Sequence, residues 1–439
     1  MIKNNPAISN GKPQYYKRDL QVEIMKYLFS REVLVIKGPR QSGKTTLMQY
    51  VYKSLPADAK ADFITFEDRD ILEIFDSDLV NFSKLYVADN DFLFIDEFQY
   101  AKEGGQKLKQ LYDSQKCKFV ISGSSSLELT GKLGKYMVGR MLSFELLPFS
   151  FSEVLGTVNQ NLHKLVFDVK TQVYQSISRD HILPDDPINS SSIINQLRNV
   201  LQDYLIWGGY PAVLNAKDDV ERRFVLSNLV ENYLAKDIRD LLKLESERQL
   251  VELARFLSLL ISNMVVYDRL SKDTKLPFES LKTHIKILQE TYVIELIYPF
   301  FTNRRVELVK SPMVYFYDIG FRNSLIDMFS KLDLRNDKGS VLENYVFSAL
   351  RRELVNKGEI KFWRTKSQAE VDFVFRKFDG EVIPIEVKYG ANDSTNIGKS
   401  LYSFIERYSP KKCFVITIDF WGSKVVHGTD IRFIPAFYL

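Results

Sequence analysis

The run Gly38-Pro-Arg-Gln-Ser-Gly-Lys-Thr-Thr46 contains the residue types that bind the phosphates of a nucleotide. It matches the phosphate-loop pattern G-x-x-x-x-G-K-[ST] at every fixed position. In this pattern the glycines let backbone N–H groups face the phosphates, the lysine (Lys44) reaches the β- and γ-phosphates, and the hydroxyl group (Thr45) binds Mg²⁺. We therefore predict that ATP and Mg²⁺ bind here; the alternative is a glycine-rich turn beside a solvated lysine. The predicted nucleotide-binding residues are Gly38, Pro39, Arg40, Gln41, Ser42, Gly43, Lys44, Thr45 and Thr46, together with Asp96.

A second group of candidate residues follows in Asp91-Phe-Leu-Phe-Ile-Asp-Glu97, where four apolar residues end in two acids. This is the Walker B pattern, in which a buried parallel strand presents carboxylates at its carboxyl end. Asp96 is predicted to hold Mg²⁺, directly or through water, and Glu97 to act as the general base. The alternative is a strand that ends in two solvated acids. The second acid favours an ATPase over a small-molecule kinase or a GTPase.

Two further residues are candidates for catalytic roles. Ser122 ends the apolar run Lys118-Phe-Val-Ile-Ser122, where a polar side chain can sense the γ-phosphate; the alternative is an ordinary turn serine. Arg140 precedes the predicted strand near 142, where it can serve as an arginine finger; the alternative is a plain surface arginine. An arginine finger implies contact between subunits, so the sequence also leaves a homo-oligomer open.

The carboxyl-terminal part carries a different set of charged residues. Glu386 and Lys388 lie two positions apart in a predicted strand, so both project from the same face. A hairpin loop centred on Asp379 sets Asp372 opposite Glu386, whereas a register shifted by one residue points the two side chains apart. Glu343 lies at the edge of the apolar face of the preceding predicted helix.

This Asp, the Glu-x-Lys on the adjacent strand and the Glu on the preceding helix resemble the PD-(D/E)xK nuclease fold. The resemblance implies that Asp372, Glu386 and Glu343 bind a divalent cation of their own, which activates water. It also implies that Lys388 orients that water or stabilises developing charge. Three interpretations stay open: an active nuclease, a domain that binds nucleic acid without cleaving it, and a structural face of solvated acids and a lysine.

The elements that must position the phosphate loop are readable as short apolar runs. Strands are predicted near 33, 62, 92, 118 and 142, with helical patterns between them and a helix that opens directly after the loop. Alternating strands and helices are typical of a parallel sheet covered on both faces. The sequence therefore predicts an α/β P-loop NTPase domain over residues 1–146.

The middle of the chain has a different pattern. Residues 147–240 are predicted to be helical and to form a lid over the nucleotide. Residues 241–325 read as helix, turn, helix and β-hairpin, which is a winged-helix pattern. Its second helix and wing tip are candidates for contact with a nucleic-acid backbone, although winged helices also serve as protein-packing modules. The residues predicted to face outward there are Lys282, His284, Lys286, Gln289, Arg304 and Arg305.

Five segments, taken in order, resemble a family of prokaryotic AAA+-like ATPases that carry a carboxyl-terminal domain of unknown function. The resemblance covers residues 16–430 and implies ATP binding and hydrolysis by a regulatory or signalling ATPase. The segments are GPRQSGKTT, FLFIDEFQ, FVISGSSS, GRMLSFELLPFSFSEVL and WGGYPAVL.

Composition narrows the remaining classes. The formal net charge of +4 neither demands nor excludes a nucleic-acid partner, because local patches decide such binding. The two cysteines, Cys117 and Cys413, lie in apolar runs without metal-type spacing, so buried free thiols in a reducing compartment are expected. The first residues lack the apolar stretch of a signal peptide, and no apolar window is long enough to cross a bilayer. We predict a cytoplasmic protein without a membrane partner.

Together these patterns predict an α/β protein with four parts. They are an AAA+-like P-loop ATPase domain at 1–146, a helical lid at 147–240, a winged helix at 241–325 and a restriction-endonuclease-like α/β domain at 326–439. The predicted function is an Mg-ATP-hydrolysing regulatory ATPase coupled to a nuclease-like, nucleic-acid-binding domain. The alternative is an ATP-dependent scaffold or switch that binds a protein or DNA partner and does not cleave.

Overall fold

The computed structural model describes residues 15–124, 133–179, 181, 183, 188, 190–237, 247–301, 310–390 and 395–439. The chain forms two compact units. The first unit comprises residues Met1–Phe149 with Glu290–Val293, and the second comprises Ser150–Gln289 with Ile294–Leu439. The two units are taken in turn.

The first unit is built around a sheet of five strands in the order β2-β3-β4-β1-β5, and every pairing between neighbours is parallel. The five strands coincide with the five predicted ones. They are β1 (Val33–Lys37), β2 (Ala61–Thr65), β3 (Phe92–Asp96), β4 (Lys118–Gly123) and β5 (Met141–Glu145). The helices described in this unit are Asp19–Lys26, Lys44–Lys53, Arg69–Ser77, Leu79–Tyr86 and Gly104–Ser114, with a 3₁₀ turn at Phe98–Tyr100.

Side-chain alternation explains why both faces of this sheet are covered. Val33 and Val35 of β1 belong to one apolar core, whereas Leu34 and Ile36 belong to the core on the other face. Successive side chains of a strand point to opposite faces, so a continuous apolar run requires a helical layer on each side. This architecture places the carboxyl ends of the parallel strands at one open edge, where ligands of such folds bind.

The second unit begins with helices. Ser150 and Glu153 form a capping box that starts its first helix: the Ser150 hydroxyl accepts from the Glu153 N–H at 3.2 Å, and the Glu153 carboxylate accepts from the Ser150 N–H at 2.8 Å. The described elements of the region predicted as helical are all helices, joined by short non-helical segments, and its role as a lid stays a prediction. The described helices up to residue 237 are Phe151–Val158, Gln160–Ser178, Ser191–Trp207, Pro211–Leu214 and Asp219–Glu231, followed by a π-helix at Asn232–Asp237.

Three helices and an antiparallel two-stranded ladder follow, in the order that the winged-helix prediction requires. The helices are Glu247–Leu259, Tyr267–Thr274 and Phe278–Glu290, and the strands are β6 (Ile294–Ile297) and β7 (Met313–Phe316). The predicted wing-tip contacts Arg304 and Arg305 lie outside the described residues.

One prediction for the helix Phe278–Glu290 is wrong. His284 is buried, with its Nδ1 atom 2.6 Å from the carbonyl oxygen of Ser280, and does not face solvent. The reason is helical periodicity, because residue 284 lies on the same face as the buried Leu281 and Leu288. Lys282 and Lys286 are exposed as predicted.

The last part of the second unit contains a six-stranded mixed sheet in the order β12-β13-β11-β10-β9-β8. It buries an apolar core against the helix Lys399–Tyr408, whose Leu401, Phe404 and Ile405 belong to that core. The strands are β8 (Gly358–Arg364), β9 (Glu370–Lys377), β10 (Val382–Lys388), β11 (Lys412–Thr417), β12 (Gly422–Val426) and β13 (Thr429–Pro435); the other described helices are Ile319–Leu325 and Lys338–Leu354, with 3₁₀ turns at Leu332–Leu334 and Ala436–Tyr438.

Two further predictions concern the cysteines and membrane-spanning helices. Cys117 and Cys413 are both buried free thiols, as predicted. Among the described helices, none combines the length and the apolar character needed to cross a membrane.

Candidate nucleotide-binding site

The phosphate loop occupies the turn between β1 and the helix Lys44–Lys53. Gly43 caps that helix with φ of 96°, a left-handed conformation that favours glycine. At Gly38 the constraint is space, because a Cβ atom there would lie 2.1 Å from the carbonyl oxygen of Leu146. The two glycines of the pattern are therefore each required by the local backbone, and the loop opens at the amino end of a helix, where N–H groups and the helix dipole favour an anion.

Lys44 is held inside the loop. Its Nζ donates to the carbonyl oxygens of Gly38 at 3.0 Å and Pro39 at 2.8 Å. Burial lowers the pKa of Lys44 to about 8, opposed by the negative charges of Glu97 and Asp96. A buried ammonium group with only carbonyl partners gains more from an anionic ligand than an exposed lysine does.

The Mg²⁺ ligands that the sequence predicts lie together. Thr45 Oγ1 donates to Asp96 Oδ2 at 2.6 Å, and Ser122 Oγ donates to the other oxygen, Asp96 Oδ1. Ser122 belongs to β4 and pairs with Ile36 of β1, so it is a strand residue and not a turn serine. The carboxylate thus carries a hydroxyl donor on each oxygen, at the edge of the sheet where the phosphate loop opens.

One more atom of the loop suits an added ligand. Among the described residues, the Ser42 hydroxyl oxygen has no hydrogen-bond partner, although the residue is fully buried. Buried polar atoms normally have a partner, so an unsatisfied one in a phosphate loop suits a site completed by a nucleotide. With the hydroxyl of Thr45 and the carboxylate of Asp96, hard oxygen ligands of the kind Mg²⁺ prefers, the residues present fit Mg-ATP.

Glu97, the predicted base, directly follows β3 and has φ of 53°. Its N–H donates to Ser122 Oγ at 3.3 Å, and its carboxylate accepts a hydrogen bond from the Gln99 side-chain amide. Gln99 also donates to Ser124 Oγ at 3.2 Å. Sequence reasoning missed Gln99 and Ser124, because their contacts depend on the turn after β3 and on the end of β4.

Arg18 is a third residue that the sequence did not single out. Its guanidinium donates to the carbonyl oxygen of Ser42 at 2.9 Å and to that of Leu147 at 2.6 Å, and lies 4.2 Å from the centroid of the Phe149 ring. One side chain therefore connects the phosphate loop to the segment that follows β5.

Arg140 lies elsewhere. It precedes β5, and its carbonyl oxygen accepts the N–H of Val33, the first residue of β1. Because β1 and β5 are parallel, Arg140 lies at the edge of the sheet opposite the phosphate loop, with its guanidinium 3.5 Å from the Asp113 carboxylate. The structure does not bring it to the loop of its own chain, so action as an arginine finger would require another copy and stays a prediction.

The acid set of the second unit has the predicted register. The ladder pairs Ile385 with Phe373, so the same register sets Glu386 opposite Asp372. The Val387 N–H donates to Asp372 Oδ2 at 2.7 Å. Lys388 donates from Nζ to the carbonyl oxygen of Asn396 at 3.0 Å and reaches neither carboxylate with a described hydrogen bond.

Burial dominates the acid–base properties of this set. It raises the pKa of Asp372 to about 7 and that of Glu386 to about 8, in the latter case with help from the charge of Asp372. Burial and the Asp372 charge also raise the pKa of Glu343 well above its usual range, and the Tyr315 hydroxyl donates to Glu343 at 2.6 Å. In the part of the chain that the structure describes, Glu386 Oε2 has no hydrogen-bond partner.

These carboxylates do not form a metal site as arranged. Within the described residues, no three side chains of the aspartate, glutamate, histidine or cysteine type converge closely enough to hold a metal ion. The cation predicted for the second unit therefore lacks a complete set of protein ligands, because only two facing carboxylates are in place.

Three family models match separate parts of the chain. One described as an AAA domain matches residues 30–155, and two described as domains of unknown function match residues 198–332 and 338–426. The first match confirms the predicted AAA+-like domain. The other two assign no activity to the second unit.

The chain is also similar to whole proteins. An uncharacterized protein of Methanocaldococcus jannaschii is 25% identical over 392 residues, covering 87% of this chain and 79% of the relative. A second from the same organism is 23% identical over 438 residues, covering 95% and 86%. Among solved structures, the Aeropyrum pernix ORC1 protein in complex with DNA has 10% identity, covers 72% of this chain and 93% of that chain, and has a TM-score of 0.30.

Three findings agree on the fold of the first unit. A parallel five-stranded sheet, a complete phosphate loop and an AAA-domain match over 30–155 occur in the same stretch of chain. Residues 30–155 therefore form an AAA-type P-loop domain, the fold of nucleotide-binding ATPases.

Proposed function

We propose that the first unit binds and hydrolyses Mg-ATP and that the chain is a regulatory ATPase whose nucleotide state controls the second unit. The observation that carries the proposal is the contact of Thr45 Oγ1 with Asp96 Oδ2 at 2.6 Å, beside the buried Lys44. A hydroxyl from the start of the phosphate-loop helix and a carboxylate from a neighbouring strand are the two protein ligands of Mg²⁺ in P-loop enzymes.

The chain's own residues supply the other parts of the reaction. Mg²⁺ neutralises charge on the β- and γ-phosphates, and Thr45 and Asp96 are the residues that would hold it. Lys44 exchanges its hydrogen bonds to two loop carbonyls for hydrogen bonds to phosphate oxygens. Glu97 takes the proton of the water that attacks the γ-phosphorus, the bond from that phosphorus to the β–γ bridging oxygen breaks, and ADP leaves.

Steady-state phosphate release and binding of a fluorescent ATP analogue test this proposal. Lys44→Ala is expected to lose measurable binding. Glu97→Gln is expected to bind normally and to lose about 100-fold or more in kcat, the size of a general-base contribution. Unchanged turnover in Glu97→Gln would exclude Glu97 as the base.

The chain offers a matched control for each variant. Lys53→Ala removes an exposed lysine at the other end of the same helix. Glu103→Gln changes an exposed glutamate that has nearly the same left-handed backbone as Glu97, with φ of 52°. Both controls are expected to keep parental binding and turnover.

We also propose that the second unit binds nucleic acid. Support comes from a groove of about 940 Å³ between the β8–β9 hairpin, the helix Lys399–Tyr408 and the chain around residues 299–301 and 310–311. Among its described lining residues none is acidic and four are basic, and hydroxyl groups lie between them. The basic residues are Lys310, Arg364, Lys366 and Arg407.

The four basic side chains are not equivalent. Arg364 is paired with Glu370 at 3.0 Å, whereas Lys310, Lys366 and Arg407 are exposed. The three exposed basic side chains favour a polyanion, and phosphate contacts by such side chains release counterions.

Fluorescence anisotropy of a labelled oligonucleotide, single-stranded or duplex, at several salt concentrations tests the groove. The triple alanine variant of Lys310, Lys366 and Arg407 is expected to bind about tenfold or more weakly, with a salt slope smaller by about 2–3. The control is the triple alanine variant of Lys331, Lys357 and Lys424, exposed lysines of the same unit. Equal losses in both variants would show that net charge, and not the groove, governs binding.

Cleavage is a separate proposal, which rests on the facing of Asp372 and Glu386 across the β9–β10 ladder and requires ligands beyond these two. Nicking of supercoiled plasmid with Mg²⁺ or Mn²⁺ is expected from the parent and not from Asp372→Ala. Equal nicking by both, or nicking by neither, would remove the nuclease and leave the non-cleaving scaffold or switch as the function of the second unit.

A further inference from the structure

The 3₁₀ turn Phe98–Tyr100 directly follows the two acids of β3, and its first residue fixes it in place. Phe98 is 3% exposed, with its ring centroid 5.5 Å from that of Phe66 and 5.9 Å from that of Phe75. A Cβ atom on Gly104 would lie 2.9 Å from the Phe98 ring, so the next helix packs directly against it. Interiors packed this closely leave a buried ring little freedom, so the backbone of the turn is held firmly.

Gln99, the second residue of the turn, faces the carboxylate of Glu97, the proposed base. Its side chain is buried at 3% exposure. The amide Nε2 donates to the Glu97 carboxylate and, at 3.2 Å, to Ser124 Oγ at the end of β4. Both N–H groups of the amide therefore have acceptors, one on the predicted base and one on the neighbouring strand.

Tyr100, the third residue, contacts the phosphate loop. Its hydroxyl accepts a hydrogen bond from the Arg40 guanidinium at 2.8 Å. The three consecutive side chains thus reach the apolar core, the Glu97 carboxylate and the loop in turn.

We propose that Gln99 is a positioning residue that holds the Glu97 carboxylate in the orientation needed to take a proton from water. This inference rests on the proposed role of Glu97 as the base. A glutamate has three rotatable side-chain bonds, and one directed amide donor on a fixed turn removes much of that freedom before the substrate arrives. Gln99 touches neither nucleotide nor water in this scheme and acts through Glu97.

The inference predicts a split between turnover and binding. Gln99→Met keeps a buried side chain of similar length and removes the amide, and misplacement of a catalytic group by about 1 Å can cost about 100-fold. We expect kcat for ATP to fall about 10- to 100-fold and the Kd of a fluorescent ATP analogue to change less than about twofold. Gln99→Glu, which loses the donor when ionised, is expected to be as slow as Gln99→Met.

Gln115→Met serves as the matched control. Gln115 also lies in the first unit and donates its side-chain amide to Ser83 Oγ at 3.4 Å, away from the site. It is expected to turn over ATP at the parental rate. Thermal melting of all variants identifies a folding defect, and Gln99→Asn, which keeps the amide on a shorter side chain, is expected to recover part of kcat if Gln99→Met proves unstable.

A double mutant separates this inference from the function on which it rests. Single-turnover rates are measured for Glu97→Gln with and without Gln99→Met. Equal rates are expected, because Gln99 acts through the group that is already disabled. The same fold loss in both backgrounds, or an unchanged kcat in Gln99→Met alone, overturns the positioning role. Full turnover in Glu97→Gln instead overturns the proposed base.

Discussion

Both units present carboxylates from β-strands, and their surroundings differ. In the first unit Asp96 receives a hydroxyl donor on each oxygen, from Thr45 and from Ser122. In the second, Glu386 has an oxygen without a partner in the described part of the chain, and burial raises its pKa to about 8. An acid on a strand therefore does not by itself indicate a metal site. The hydrogen-bond donors around the carboxylate decide which protonation state the fold favours.

The largest expected effect follows from the space around the phosphate loop. Gly38→Ala would place a Cβ atom 2.1 Å from the Leu146 carbonyl oxygen, so the loop must shift. We expect ATP-analogue affinity to fall at least tenfold and the first unit to lose about 2–4 kcal/mol of unfolding free energy. Gly134→Ala is the control, since no atom of the described residues lies within 4 Å of its added Cβ. Parental affinity in Gly38→Ala would contradict the described loop geometry.

The next prediction concerns pH and the second unit. The pKa of Glu386 is about 8 in the folded protein against an ordinary value of 4.5, so the folded state prefers the protonated acid. The stabilisation is present below pH 4.5 and is lost as the pH rises through about 8. Glu386→Gln is therefore expected to match the parent at pH 5 and to be more stable by about 1–2 kcal/mol at pH 9, after discounting for its partial exposure.

Tryptophan fluorescence during urea denaturation measures this difference in the second unit alone, because Trp207, Trp363 and Trp421 all lie there. Glu406→Gln, at an exposed position on the helix Lys399–Tyr408, is the control and should follow the parent at both pH values. A Glu386→Gln curve parallel to that of the parent from pH 5 to pH 9 would show that this carboxylate is not held protonated by the fold.

The smallest effect is expected at Ser122. Ser122→Ala removes one of the two donors to Asp96 and should raise the Mg²⁺ concentration for half-maximal ATP turnover about tenfold, a typical effect of removing a hydrogen-bond partner of a metal ligand. Ser114→Ala, an exposed serine of the same unit, should leave it unchanged. A fall in kcat at saturating Mg²⁺, with the half-maximal concentration unchanged, would instead favour the predicted γ-phosphate sensor.

The sequence located the phosphate loop and β3 of the first unit because these parts are local. A phosphate loop occupies consecutive residues. Asp96 ends β3 and Glu97 directly follows it, so neither feature requires knowledge of distant packing. The opposite position of Arg140 could have been worked out, since residues that precede a parallel strand lie at the edge away from the ligand. The facing of Asp372 and Glu386 was predictable once the hairpin loop was centred on Asp379.

Other features depend on packing that one sequence does not reveal. The contact of Gln99 with Glu97 requires a 3₁₀ turn and the end of β4, which is 25 residues away in sequence. The desolvation that raises the pKa of Asp372 comes from the surrounding fold and leaves no motif. His284 shows the reverse case, because its helical spacing from Leu281 and Leu288 already indicated burial.

The guanidinium of Arg18 bridges the carbonyl oxygens of Ser42 and Leu147. Leu147 lies only a few residues before the helix Phe151–Val158. The chain therefore leaves the P-loop domain next to a residue that Arg18 links by hydrogen bonds to the phosphate loop. If the proposed ATP hydrolysis shifts the phosphate loop, the Arg18 hydrogen bonds would either break or move the chain that follows β5 with the loop. The Arg18 side chain and the two peptide carbonyls would thereby link the phosphate loop mechanically to the chain that leaves the domain.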